Sequence, residues 1–114
     1  MASKLITVVE TPTYLRDAGN ILTDEQRSTV VNMVAADPEC GEIIRVGGGI
    51  RKVRIAASGR GKRGGGRVVY FYYNDSLPIF LLAFFAKNQR EDLSAAERLA
   101  LGRFVKTLVR NYGA

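Results

Sequence analysis

Histidine and tryptophan are absent from the 114 residues, cysteine occurs once and proline three times. Without histidine the chain lacks the usual general base at neutral pH and the commonest nitrogen ligand for metals. With Cys40 as the sole thiol, an internal disulfide is excluded, and neither a metal site nor a cofactor is expected. A cysteine-poor chain without a disulfide framework fits the cytoplasm, and we expect that location. Long apolar runs are missing too. The longest, residues 78–86, is about half of the roughly 20 residues that span a bilayer, and residues 5–9 are shorter than the ~7 to 15 of a signal-peptide core. No membrane association is expected. A 46% hydrophobic, 25% charged composition is that of an ordinary globular protein. At this length the chain should form one domain over residues 1–114 that buries about 65% of its unfolded surface.

Acids are missing from one long stretch. Residues 43–74 carry eight basic side chains, Arg45, Arg51, Lys52, Arg54, Arg60, Lys62, Arg63 and Arg67, and no acidic one. The rest of the chain has nine basic and eleven acidic residues, so the whole net charge of +6 originates in that block. Solvated surfaces ordinarily mix their signs, and an acid-free block of this length points to a polyanion such as nucleic acid or the ribosome.

Residues 5–10 read as a short β-branched strand ended by Pro12, and a short helix is possible over residues 14–20. Thr23 followed by Asp24, Glu25 and Gln26 has the pattern of a capping box, and Val30, Val31, Met33 and Val34 continue it as a helix closed by Asp37 and Pro38. Residues 50–57 alternate strictly, Val53 and Ile55 on one face and Lys52 and Arg54 on the other. Residues 58–66 hold five glycines and three basic residues and predict a hairpin loop. A second strand follows over residues 67–73. Residues 79–86 form an apolar run that predicts a strand buried on both faces. Ser94 and Glu97 form another capping box, opening a helix to about Asn111 with Leu101, Val105 and Leu108 on its inner stripe. The expected fold is α+β: a mostly antiparallel sheet of about four strands, two N-terminal helices and one C-terminal helix.

A hairpin centred near Arg60 and Gly61 sets Arg54 opposite Arg67 and Lys52 opposite Val69. Like charges directly opposite are unfavourable, which suggests that a ligand anion resolves the conflict. The following hairpin would bring Lys87 near Arg67. Such a cluster suits RNA cleavage by attack of the 2′-hydroxyl on its own phosphate, a reaction that needs proton transfer and positive charge around the phosphorane. Arginine serves electrostatically, Arg67 foremost. Lysine can exchange a proton when crowded by other cations, so Lys52 or Lys87 could be acid or base, and the base stays open. The catalytic candidates are Arg67, Lys87, Lys52 and Arg54. Arg51, Arg60, Lys62, Arg63 and Tyr73 are candidates for gripping RNA or the ribosome. Of Tyr70, Phe71, Tyr72 and Tyr73, alternation should pack one pair in the core and leave the other able to stack on bases.

Other motifs fail on context. Residues 59–64 match G-x-G-x-x-G but lie between two strands and open no helix, so no dinucleotide site is expected. Glu91 and Asp92 are neighbours in sequence only, and Cys40 is most simply inert.

The segments GGIRKVRIA at residues 48–56, GKRGGGRVVYF at 61–71 and FAKNQREDLS at 85–94, in that order, resemble the RelE/ParE superfamily of toxins, most closely the RelE-like, HigB-type branch. The likeness covers nearly the whole chain. It implies a toxin of a type II toxin-antitoxin system that cleaves mRNA in the A site of the 70S ribosome and inhibits translation. It also implies a cognate antitoxin, with a helix-turn-helix DNA-binding domain, that sequesters the toxin. The family's functional basic positions match Lys52, Arg54, Arg67 and Lys87 here. A tyrosine that RelE members often carry shortly after the position of Lys87 is replaced by Leu93, Ser94 and Ala95, so no tyrosine role is carried over. The alternatives are a ParE-like inhibitor of DNA gyrase that cuts nothing, and a basic nucleic-acid-binding module without catalysis.

Overall fold

The computed structural model describes residues 6–44, 49–56, 65–86 and 93–112. Eight elements follow in the order β1 (Val8–Glu10), α1 (Pro12–Ala18), α2 (Asp24–Ala36), β2 (Glu42–Ile43), β3 (Ile50–Ile55), β4 (Gly66–Phe71), β5 (Ile79–Ala86) and α3 (Ala95–Tyr112). The strands form one sheet in the order β1-β5-β4-β3-β2, antiparallel throughout except that β1 runs parallel to β5. This is the expected α+β architecture with one strand more. The addition is β2, whose two residues are too few for any periodicity to reveal.

Local chemistry starts each helix. Thr11 accepts from the Tyr14 N–H at 3.3 Å, and Pro12 occupies the first helical turn, where its missing N–H costs nothing. The Thr11 hydroxyl also donates to the Leu81 carbonyl at 2.7 Å, fixing α1 to β5. Thr23 and Gln26 form a reciprocal capping box, with bonds of 2.9 and 3.0 Å. Ser94 and Glu97 do the same for α3, at 2.8 and 3.1 Å. Arg27 ties α2 to β1 through Glu10 at 3.3 Å and to its own helix through Asp24 at 3.0 Å.

Both faces of the sheet are covered. On one, Val68, Tyr70, Leu81 and Phe84 pack against Tyr14 and Ala18 of α1 and Val30 and Val34 of α2. On the other, Ile50, Val69, Phe71, Leu82 and Phe85 pack with Val105 and Leu108 of α3, with Leu101 half-buried beside them. Residues 79–86 are the expected interior strand, buried on both faces at almost every position. The pairing of β4 with β5 shifts between Val69 and Tyr70, so that Leu82 is the extra residue of a bulge. The bulge sends Leu82 and Ala83 to the α3 side and sets Phe85 on that side beside Arg67.

The four aromatics divide by face as expected, Tyr70 and Tyr72 on the side of α1 and α2 and Phe71, with Tyr73 stacked on it, on the other, but the expected burial of one pair and exposure of the other is not what the structure has. Tyr70 and Phe71 are both fully buried, on opposite faces, while Tyr72 is half-buried and Tyr73 exposed. Because helices cover both sides of β4, exposure increases along the chain past the strand's end instead of alternating.

Candidate functional site

The register of β3 on β4 sets Arg54 opposite Arg67, Lys52 opposite Val69 and Ile50 opposite Phe71. Cross-strand partners share a face, with Cβ atoms about 5 Å apart. Since Ile50, Val69, Phe71 and Phe85 belong to the α3 core, Lys52, Arg54 and Arg67 lie on that side of the sheet. Arg54 is exposed, and Lys52 and Arg67 are half-buried. Three cations from two strands therefore stand together on a floor made by Val69, Ala83 and Phe85. Gly66 makes this approach possible: a Cβ there would sit on the Phe85 carbonyl oxygen, so only glycine lets β4 begin this close to β5, one residue before Arg67.

The geometry suits an anion. Two arginines opposite each other on one sheet face put like charges on neighbouring strands, and a phosphate bound there would offset that repulsion with charge-assisted hydrogen bonds. The family model for the RelE toxin of the RelE/RelB toxin-antitoxin system matches residues 17–112. The chain belongs to the RelE toxin family. As a RelE-family toxin it has a cognate antitoxin for a partner. Among the described residues no helix is long and apolar enough to cross a membrane.

The remaining sequence candidates of this RelE-family chain fall in three places. Lys87, Arg60, Lys62 and Arg63 lie outside the described residues. Arg51 is on β3 but on the opposite face from Lys52, paired across the sheet with Tyr70. It is not brought into the row. Its guanidinium donates to the Gly41 carbonyl at 2.7 Å and to the Glu39 carbonyl at 3.4 Å, and lies 3.7 Å from the Glu39 carboxylate. These contacts hold the loop between α2 and β2. Tyr73 is 46% exposed, and its ring stacks on buried Phe71 with centroids 6.2 Å apart, so it is anchored beyond the end of β4 nearest Ile50.

Tyr70 completes the grip on that loop. Its hydroxyl donates to the Pro38 carbonyl at 2.8 Å and accepts from the Gly41 N–H at 2.9 Å. Burial raises its pKa well above the usual tyrosine value, with the Gly41 bond acting in the other direction. The Cys40 sulfur lies 3.7 Å from the same hydroxyl.

One residue near the row was not visible in the sequence. Strand β2 sets Glu42 directly opposite Lys52 and Ile43 opposite Arg51. Glu42 therefore shares the face of the cations, and buried Ile44, two residues on, packs in the α3 core on that side. The acid-free block begins one residue after Glu42, and its purity masked the carboxylate that folding returns to it.

A cleft of about 270 Å³ lined by Glu10, Arg27, Ser28, Val31 and Asn32 lies between β1 and α2, apart from the row. Its arginine is already held by two carboxylates.

Proposed function

We propose that this toxin is a ribosome-dependent mRNA endoribonuclease of the HigB-type branch, which cleaves mRNA in the ribosomal A site and stops translation in the cytoplasm. The observation that carries the reading is the cross-strand pairing of Arg54 with Arg67 on the face that also bears Lys52. In this reading the 2′-hydroxyl of the message attacks the adjacent phosphorus. Arg67 and Arg54 stabilise the charge that develops on the phosphorane, and lysine moves protons. The substrate supplies its own nucleophile, so the reaction calls for no metal or cofactor. Lys87 joins the group as acid or base alongside Lys52, while Arg60, Lys62 and Arg63 hold ribosomal RNA or the message backbone. In this reading Lys52, Arg54 and Arg67 supply positive charge to the message backbone and not the alignment that in-line attack needs. Alignment then falls to the ribosome, which presents the codon in one geometry. The antitoxin partner carries a helix-turn-helix DNA-binding domain.

Primer extension on an mRNA translated in a cell-free system tests this. Wild-type protein should cut within codons only when ribosomes are present, and Arg67→Ala should lower the rate by about 10²-fold or more, with a smaller loss of ribosome binding. An intact message with normal translation would overturn the reading and direct attention to supercoiling by DNA gyrase.

A further inference from the structure

Resting on the ribonuclease reading above, we propose that Glu42 is the general base of the site, the group that takes the proton from the attacking 2′-hydroxyl. It stands directly across from Lys52 on the cationic face. The backbone on either side of it is firmly held. The Gly41 N–H donates to the Tyr70 hydroxyl at 2.9 Å, and the Gly41 carbonyl accepts from Arg51 at 2.7 Å. The Ile44 N–H donates to the Ile50 carbonyl at 2.8 Å. A Cβ at Gly41 would come within 2.6 Å of the Lys52 carbonyl oxygen, so β2 is pressed against β3 at the residue that pairs with Glu42. A held backbone at Glu42 keeps this exposed carboxylate on the face of Lys52, Arg54 and Arg67, one strand from Lys52.

A carboxylate in that position repels an RNA phosphate and weakens binding, a cost that a role in the chemistry would offset in rate. Its chemistry balances the step. The 2′-oxygen loses its proton to Glu42 and forms a bond to phosphorus. The bond from phosphorus to the 5′-oxygen breaks, and the leaving oxygen takes a proton from the Lys52 ammonium. The products are a 2′,3′-cyclic phosphate and a free 5′-hydroxyl, and exchange with water returns the proton from Glu42 to Lys52.

Wild type, Glu42→Gln, Glu42→Asp and Arg67→Ala are compared on programmed ribosomes. Cleavage rate is read by primer extension, and binding by co-sedimentation with ribosomes whose message carries 2′-O-methyl groups at the codon. Glu42→Gln should cleave about 10²- to 10⁴-fold more slowly while binding as tightly as wild type or more tightly, and Glu42→Asp should retain more activity than Glu42→Gln. Cleavage by Glu42→Gln at the wild-type rate, or a fall in rate matched by a fall in binding, overturns the assignment. If wild type cleaves, Arg67→Ala does not and Glu42→Gln is as fast as wild type, only the role of Glu42 falls. If wild type leaves the message intact on ribosomes, the ribonuclease reading itself falls and the role of Glu42 with it.

Discussion

Two buried tyrosines make opposite demands on the fold. The Tyr70 hydroxyl serves Pro38 and Gly41 together, so Tyr70→Phe leaves a buried N–H without an acceptor and should cost about 1–3 kcal/mol. The Tyr14 hydroxyl is equally buried but has no hydrogen-bond partner among the described residues. Tyr14→Phe should therefore hold or raise stability, by up to about 1 kcal/mol. Chemical denaturation of the two variants beside wild type checks both signs. Burial, reinforced by the charge of Glu10 and opposed by Arg27, pushes the Tyr14 pKa up to about 12 from 10.0. A raised folded-state pKa means the stabilisation is complete below pH ~10 and is lost as pH rises toward 12, because the unfolded chain gives up that proton first. The loss should be on the order of 1–3 kcal/mol by pH ~12 in wild type, and Tyr14→Phe should remove it. Tyrosine is the same residue at both positions, and only the neighbours decide which hydroxyl is satisfied.

Helix α3 depends on its first turn for orientation and on one stripe for attachment. Ser94→Ala removes the acceptor for the Glu97 N–H and should lower stability by about 1 kcal/mol, measurable as a shift in denaturation midpoint with an unchanged slope. The Phe80 ring meets Tyr112 edge-on at 5.9 Å, so the far end of α3 is anchored at the start of β5. The helix was legible because Ser94, Glu97, Leu101, Val105 and Leu108 obey a period that local geometry alone imposes. The hairpin of β3 and β4 was legible for a similar reason: alternation fixes the face, and a loop centre fixes the register, so Arg54 lands opposite Arg67 as expected. Strand β2 and the bulge at Leu82 were not. Two residues carry no period, and a bulge is a local break in alternation settled by how β5 meets both cores.

The molecule as a whole concentrates its positive charge where it has least acid in sequence, and folding lays part of that charge in a row on one face. Binding to a single-stranded RNA oligonucleotide should therefore weaken with salt. Three ion pairs with the RNA backbone, one each from Lys52, Arg54 and Arg67, predict a slope of about −2 for log affinity against log salt, reduced in size by about 0.7 in Arg54→Ala. A slope near zero in equilibrium titrations would remove these residues from the interface. Composition and pattern by themselves determined the α+β class, the caps of α2 and α3, the interior strand and the cationic character of one hairpin, since each rests on neighbours in sequence or on a fixed repeat. Tertiary structure alone decided that Arg51 turns away to hold a loop, that Phe85 floors the row and that Glu42 faces Lys52. Those outcomes depend on which strands become neighbours and in what register, and that is set by the burial of both cores together, not by any local preference.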